Sequence, residues 1–330
     1  MRILFLHDDI PTDAPPDAVD AVVQAEFIGK VLSQCGIESS RMAFTADLSA
    51  MRKRIAAAAP DLVFNLVESV GGAGRLIHLA PALLDAMAVP YTGAGTEAMF
   101  LTSNKLLAKR WLARGNMPTP AWAEINRGRL MAHGGAVFPA KYLVKSVWEE
   151  ASIGIDDSSV ILAAAAETLE SEIKIRRQQL GGDAFAEVYV DGREFNLSLL
   201  TEGLGGCEVL PPAEIKFVGY PADKPRIVTY AAKWDESAFE YVNTTRTFDF
   251  ATADRPLLDT LSDLARRCWT VFGLRGYARV DFRVDAAGCP FILEVNANPC
   301  LAPDAGFMAA AANAGLSNQA VVTRIVEDAR

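Results

Sequence analysis

Apolar residues recur along this chain in two rhythms, short unbroken runs and runs spaced three or four apart, and the alternation between them predicts the architecture. "RILFLH" reads as a strand and "AVDAVVQAEFIGKVLSQCG" as an amphipathic helix closed by Gly36. "DLVFNLV" is a second buried strand and "HLAPALLDAMAV" another helix. Strands separated by helices imply a parallel sheet covered on both faces, so residues 1–95 are expected to form a parallel α/β domain.

A second block spans 96–182. The helix "SNKLLAKRWLARG" ends at Gly115, "NMPTPAW" supplies a proline-marked turn, "AKYLVKS" is a strand and "EEASIGI" a small-residue loop. The run "SSVILAAAAETLESEIKIRRQQLGG" is expected to be one long helix stopped by paired glycines. The third block, 183–330, holds the strands "AFAEVYV", "REFNLSLL", "YARVDFRV" and "PFILEVN", with the helix "PLLDTLSDLARRCWTVFG" before the last two. "KWDESAFEYVNTTRTFDF" is polar and aromatic without clear period; a loop of that length is usually functional, often a lid, although an inert excursion is the alternative. No repeat of 20 to 50 residues is visible, which argues against a solenoid.

Composition narrows the function without naming it. A formal charge of −9 argues against a nucleic-acid surface, although a few converging lysines can still set a local field for an anionic ligand. No stretch has the ~18 uninterrupted apolar residues of a membrane span, and the opening reaches acid and proline too early for a secretory signal. The five cysteines form no CxxC pair and no zinc spacing, so a reduced, cytoplasmic setting is expected. His7, His78 and His133 are widely spaced and make no obvious constellation.

Candidate chemistry concentrates in "RVDFRVDAAGCPFILEVNANPC", residues 279–300. Alternation puts Arg279, Asp281 and Arg283 on one strand face, and Glu294 and Asn296 share a face of the next strand. "DAAGCP" has the right length to pair the two strands as a hairpin, which would bring two carboxylates and an amide oxygen together beside a guanidinium. Such a hard-oxygen set suits Mg²⁺, which would neutralise otherwise costly buried charges. A structural alternative weighs equally on these residues: Asp281 paired to Arg279 or Arg283, with Asn296 capping a turn. Lys105 opens a helix, Lys145 ends a strand and Lys233 precedes the lid segment; Lys145 leads into a loop where Ser152 and Gly154 would let backbone approach phosphates. GxxxxGK[ST] is absent, and "GGAG" at 71–74 is a strand-to-helix turn rather than a dinucleotide fingerprint.

Taken in order, these motifs resemble the D-alanine–D-alanine ligase branch of the ATP-grasp enzymes. "VPYTGAG" with "SNKLLAKRWLARGNMPTP", "VKSVWEEASIGI", "AEVYVDGREF", "YAAKW" and "ARVDF" with "LEVNANP" follow that family's pattern over about residues 60 to 315. The resemblance implies an α/β fold, α+β in the ATP-grasp part: an N-terminal pre-ATP-grasp domain (1–95), a central ATP-grasp subdomain (96–182) and a C-terminal one with metal site and mobile loop (183–330). It also implies an ADP-forming carboxylate–amine ligase that works through an acyl phosphate, using ATP and two Mg²⁺ ions, with Mn²⁺ able to substitute. Its partners would be a small acid and an amine or amino acid, with no nucleic acid and no membrane, in a homodimer formed through the first domain.

Carried over residue by residue, the resemblance has Lys105 and Lys145 holding ATP phosphates under a loop containing Ser152. Glu187 and the backbone after it, Val188 and Val190, would read adenine, and Glu194 the ribose. Asp281, Glu294 and Asn296 would bind the metal ions, Arg279 would face the reacting carboxylate, and Lys233 would reach the γ-phosphate. The substrate pockets depart from the pattern. The family's first ammonium anchor is missing from "HDDIPTDAPPDAVD", with Asp8 or Asp9 as candidate replacements. Glu150-Ala151-Ser152 stands for Gly-Ser-Ser, Trp234 for a lid tyrosine, Cys300 for a glycine and Ala305 for the serine that binds the acceptor's carboxylate. At Cys300 a small residue tolerated at a glycine site is favoured over a nucleophile. Ligation of two D-alanines is therefore the runner-up to an acid–amine ligase of changed specificity, and a non-catalytic nucleotide-binding protein is the alternative from another class.

Overall fold

The computed structural model describes residues 1–11 and 14–330; Thr12 and Asp13, inside the segment read as having lost the ammonium anchor, lie outside the described residues. The N-terminal part runs β1 (Arg2–Asp8), α1 (Pro16–Gln34), β2 (Glu38–Phe44), α2 (Leu48–Ala58), β3 (Leu62–Asn65) and α3 (Leu79–Met87). Its sheet is parallel in the order β2-β1-β3. β1 sits in the middle because Ile3, Leu4, Phe5 and Leu6 are all buried, as a strand covered on both faces requires. β2 lies at the edge, and its first four residues are polar and exposed while only Met42-Ala43-Phe44 turn inward.

α4 (Thr96–Ser103) and α5 (Lys105–Arg114) follow, and Asn104 caps α5 by accepting from the Leu107 N–H at 2.9 Å. A five-stranded sheet of order β5-β4-β8-β6-β7 comes next, built from β4 (Trp122–Asn126), β5 (Arg129–His133), β6 (Ala140–Ser146), β7 (Val160–Ala163) and β8 (Ala184–Val188), with α6 (Ala166–Gln179) packed on it. The sequence expectation of one long helix over this region is corrected here. Val160–Ala163 pairs antiparallel with β6, and the helix begins only at Ala166. The β-branched pair Val160-Ile161 favours the strand, and the turn Asp156–Ser159 closed by its own side chains separates it from the loop before it. β8, grouped by sequence with the third block, inserts between β4 and β6 of this sheet.

The last sheet has six strands, β12-β11-β9-β13-β14, with β10 beside β9. Its elements are β9 (Gly192–Gly203), β10 (Gly206–Val209), β11 (Ala213–Phe217), α7 (Tyr230–Trp234), α8 (Phe239–Asn243), β12 (Thr244–Thr247), α9 (Arg255–Val271), β13 (Tyr277–Asp285), β14 (Pro290–Asn296), α10 (Gly306–Asn313) and α11 (Asn318–Asp328). The segment expected to be an irregular lid is therefore two short helices and an edge strand. α9 buries Leu261, Leu264, Ala265, Cys268 and Trp269, an i, i+3, i+4, i+7, i+8 stripe that covers one sheet face. The β13–β14 turn is fixed by Asp285, whose Oδ1 accepts from the N–H groups of Ala287 and Cys289 at 2.9 and 2.8 Å. α10 and α11 return to the first sheet: Phe307, Val321 and Ile325 share one core with Ile3, Phe5 and Phe64. Among the described residues no helix is long and apolar enough to cross a membrane.

Candidate active site

A cleft of about 570 Å³ opens where the two larger sheets and the loops above β1 and β3 converge. The hairpin supplies its floor. In the β13–β14 register Arg279 faces Asn296 and Asp281 faces Glu294, with the ladder irregular just past Asp281, so alternation does bring all four side chains to one place. Arg279 forks onto Asp281, Nε to Oδ1 and Nη2 to Oδ2, each at 2.8 Å. Asn196 on β9, opposite Asp281, adds a hydrogen bond to Oδ1 at 2.7 Å. Asn296 Oδ1 accepts from the Asn298 N–H at 2.9 Å. Both contacts of the structural alternative are thus present. Burial alone would raise Glu294, but Lys105, Lys145, Lys233 and Arg279 hold its carboxyl down at about 2. Two adjacent carboxylates and an amide oxygen beside four cations fit a Mg²⁺ that takes its remaining ligands from phosphate and water. Among the described residues no group of three or more His, Cys, Asp or Glu side chains makes a metal cage, so the protein alone offers only part of a coordination shell.

The walls carry the lysines. Lys105, first residue of α5, donates to the Glu149 carbonyl at 2.6 Å, beside the loop that follows β6. Lys145 at the end of β6 pairs with Glu187 Oε1 at 2.6 Å, and Lys109, one turn beyond Lys105, pairs with Glu187 Oε2 at 2.8 Å. Glu187 is therefore clamped between two ammonium groups. Burial opposes its ionisation, and Lys109 with Lys145 wins, lowering it. Burial lowers Lys109 to about 8 despite Glu187. The expectation that Glu187 reads adenine meets a carboxylate already doubly paired. The backbone beyond it is partly used as well: Val188 and Tyr189 donate to Ala121 and Lys141 at 2.8 and 2.9 Å. Among the described residues the Val190 N–H has no intramolecular acceptor and remains the available donor on that rim. Glu194 lines the same end and is held by Arg283 at 2.8 Å.

Two segments cover the cleft and are stitched together. Ser152 Oγ donates to the Val228 carbonyl at 2.8 Å, Trp234 Nε1 to the Ala151 carbonyl at 3.2 Å, and the Tyr230 N–H to the Ile155 carbonyl at 3.0 Å. Ala151 and Ser152 both have left-handed backbone, φ 54° and 61°, a strain that concentrates at ligand loops. Lys233 projects from α7 into the cleft; burial and then Arg279 lower it, against Glu294, Asp281 and Glu194.

The substrate end corrects one expectation. Asp8 and Asp9 line an adjoining cavity of about 530 Å³ that shares Glu68, Glu149, Glu150 and Ala151 with the cleft, and neither aspartate lines the cleft itself. Asp8 is spent on the chain itself, accepting from the Glu68 N–H at 2.7 Å and Ser69 Oγ at 2.6 Å. Asp20 and Glu68 stand in the cleft instead. Gln24 Nε2 donates to both, each at 3.0 Å, while its Oε1 accepts from the Leu301 N–H at 2.9 Å. Burial raises Asp20, and burial reinforced by Asp8 and Asp20 pushes Glu68 well above the usual carboxylate range. Cys300 lines the cleft with its thiol pushed up by burial and then by Asp20 and Glu68, the opposite of what a nucleophile needs. Ala305, also in the lining, is the N-cap of α10 and offers no hydroxyl. Sequence reasoning missed Lys109, Asn196, Asp20, Glu68 and Arg246. Glu68 was signalled by its place just past the carboxyl end of a buried strand, where open α/β sheets bind ligands.

The family described as "D-ala D-ala ligase C-terminus" matches residues 117–327. The D-alanine–D-alanine ligase of Oleidesulfovibrio alaskensis is 32% identical over 82% of this chain and 80% of its own length. An uncharacterized protein of Sinorhizobium fredii, y4sG, is 29% identical over 96% of this chain and 90% of its own. The crystal structure of D-alanine–D-alanine ligase from Bacillus anthracis complexed with ATP superposes with a TM-score of 0.74 at 17% identity, covering 100% of this chain and 97% of that one, and so shares the fold.

Proposed function

The chain belongs to the D-alanine–D-alanine ligase family of ATP-grasp enzymes, ATP-dependent and ADP-forming carboxylate–amine ligases, and from that premise we propose how its own residues divide the work. Lys105 and Lys145 hold the ATP phosphates beneath the loop containing Ser152, the Val190 N–H takes the adenine, and Glu194 takes the ribose. Asp281, Glu294 and Asn296 hold Mg²⁺, with Mn²⁺ able to replace it; when bound, the metal lowers the charge that repels an incoming carboxylate. The observation that carries this reading is the convergence of Lys105, Lys145, Lys233 and Arg279 around Glu294 at the paired positions of one hairpin.

A carboxylate reacts poorly with an amine, so it must first gain a leaving group. Its oxygen attacks the γ-phosphorus, the bond to the β-phosphate oxygen breaks, and ADP departs from an acyl phosphate. The amine then adds to the acyl carbon, loses a proton and expels phosphate. Arg279 faces the carboxylate in the first step and stabilises the tetrahedral oxyanion in the second, aided by a backbone N–H near Cys300. Lys233 follows the γ-phosphate charge. Asp20 and Glu68 supply the ammonium anchor that Asp8 and Asp9 do not. The loop and lid, tied through Ser152 and Trp234, exclude the water that would hydrolyse the acyl phosphate.

ADP release with Mg²⁺, a panel of small acids and a panel of amines tests the reading. D-alanine with itself is the first pair, since relatives covering four fifths of the chain carry that name. Ala151 and Ala305 favour a different pair. Release that no combination stimulates would remove the proposal.

A further inference from the structure

Arg283 lies on β13 directly opposite Glu194 of β9 and is only 3% exposed, yet it reaches the lining of the cleft. Its guanidinium is tied from three sides. Nη2 pairs with Glu194 Oε2 at 2.8 Å and donates to the Arg226 carbonyl, and Nη1 donates to the Gly192 carbonyl at 3.2 Å. Its faces meet two rings, with Cζ 5.8 Å from the Tyr189 ring centre and 5.4 Å from that of Phe217. The supports are themselves fixed: the Arg226 N–H donates to the Tyr189 hydroxyl at 3.1 Å, and Ser152 Oγ, on the loop over the cleft, donates to the Val228 carbonyl two residues on. Glu194 is buried, and among the described residues Arg283 is its one ion-pair partner. Its second oxygen, Oε1, has no protein donor among the described residues and belongs to a side chain that lines the cleft.

We propose that Arg283 is a positioning residue that aims Glu194 Oε1 at the sugar hydroxyls of the nucleotide, and so sets a preference for the ribonucleotide over its deoxy forms. The assignment rests on the ligase reading above and on the sugar role given there to Glu194. Packing alone does not call for an arginine here. An apolar side chain would fill the slot between Tyr189 and Phe217 without desolvating a guanidinium, and a buried ion pair recovers little of that cost as net stability. What three-sided anchoring does supply is a fixed direction for the carboxylate, as supporting residues do for a binding group. With Oε2 held by Arg283, Oε1 is left to accept a hydroxyl proton, and a hydrogen bond to a charged acceptor is stronger than a neutral one. The hold on the Arg226 carbonyl also joins this carboxylate to the chain that enters the lid. Glu194 therefore keeps its aim only while the segment from Arg226 to Val228 is in place beside the cleft.

The test titrates the full chain calorimetrically, with Mg²⁺ present, using ATP, 2′-deoxy-ATP, 3′-deoxy-ATP and inorganic tripolyphosphate. The unmodified protein is expected to bind ATP about 20-fold more tightly than at least one deoxy form, the size of a lost hydrogen bond to a charged group. Arg283→Met is expected to weaken ATP by about 20-fold, to bring ATP and the deoxy forms within about twofold of one another, and to leave tripolyphosphate within about twofold of normal. Arg283→Lys restores the charge without the fork and should recover part of the discrimination. Arg283→Met combined with Glu194→Gln removes the buried pair as a unit and should bind ATP no more weakly than Glu194→Gln alone, since one residue acts through the other. That double variant carries the test if Arg283→Met does not fold. A merely structural role would weaken tripolyphosphate as well and leave the preference for ATP intact. Either of those results, or losses that multiply to about 400-fold in the double variant, overturns the assignment. Equal binding of ATP and both deoxy forms by the unmodified protein also overturns it, with the ligase reading left intact. Binding of no nucleotide removes that reading, and this assignment with it.

Discussion

The Lys109–Glu187–Lys145 triad gives the sharpest quantitative expectation, because one buried carboxylate is shared by two buried ammonium groups at 2.8 and 2.6 Å. Replacing Lys109 with Met keeps most of its volume and removes one partner. Glu187 keeps Lys145, but the Thr119 hydroxyl and Pro120 carbonyl, which accept from Lys109 at 2.8 and 3.1 Å, lose their donor. Breaking a buried ion pair from one side costs about 3–5 kcal/mol, and the surviving pair places this case near the lower end, about 3 kcal/mol. Glu187→Gln removes the charge from the other side and leaves two ammonium groups facing one neutral amide, at a similar cost. The double variant removes the pair as a unit, so the cycle should show a coupling of about 1.5 kcal/mol or more. Urea midpoints of the four proteins, followed by tryptophan fluorescence because Trp122 lies 5.5 Å from Lys109, measure it. Additivity of the two single changes within about 0.5 kcal/mol would refute the shared-charge account.

Asp281→Asn and Glu294→Gln should each lower ADP release by about 100-fold or more, and chelating the metal should abolish it until Mg²⁺ or Mn²⁺ is restored; near-normal turnover in both variants would remove the metal assignment. Trp234→Phe deletes the bond to the Ala151 carbonyl, worth about 1 kcal/mol, and should raise acceptor-independent ATP hydrolysis severalfold, read as ADP formed per product bond. Glu68 has its folded pKa raised, chiefly by burial, so protonation favours the folded state and stability is gained as pH falls through that raised value. Glu68→Gln should therefore raise the melting temperature at pH 8, with the advantage shrinking on acidification; a constant difference across pH would contradict the burial account.

How much of this was legible in the sequence depended on where each residue's partners come from. The hairpin was readable because strict alternation and a short turn fix which side chains meet, and Arg279, Asp281, Glu294 and Asn296 did meet. β1 and β3 were readable because buried parallel strands are continuous apolar runs. β2 was not, since the edge strand "ESSRMAF" opens on four polar residues and lacks a continuous apolar run. "VILA" was absorbed into the following helix because its alanine-rich neighbours suit a helix, and only pairing with β6 decided the matter. The double pairing of Glu187 was not legible because Lys109 lies inside a helix whose local pattern does not mark it as buried. The partner of Asp8 was not legible because it comes from the chain after β3, whose Glu68 N–H donates to it, a long-range contact that local pattern does not encode.

α11 ends the described chain with a clamp. Asp328 accepts from the Thr201 hydroxyl at 2.5 Å and the Gly276 N–H at 2.8 Å, while Arg324 donates to the Thr201 carbonyl and to Glu208. The same helix buries Val321 and Ile325 against the sheet made by the opening residues. As the polypeptide leaves the ribosome, α1 can cover that face of the first sheet early, but the shared core is not closed until residues 318–328 have emerged. Its maturation is consequently a late event, and the nascent protein passes through a long interval in which chaperones and proteases compete for it.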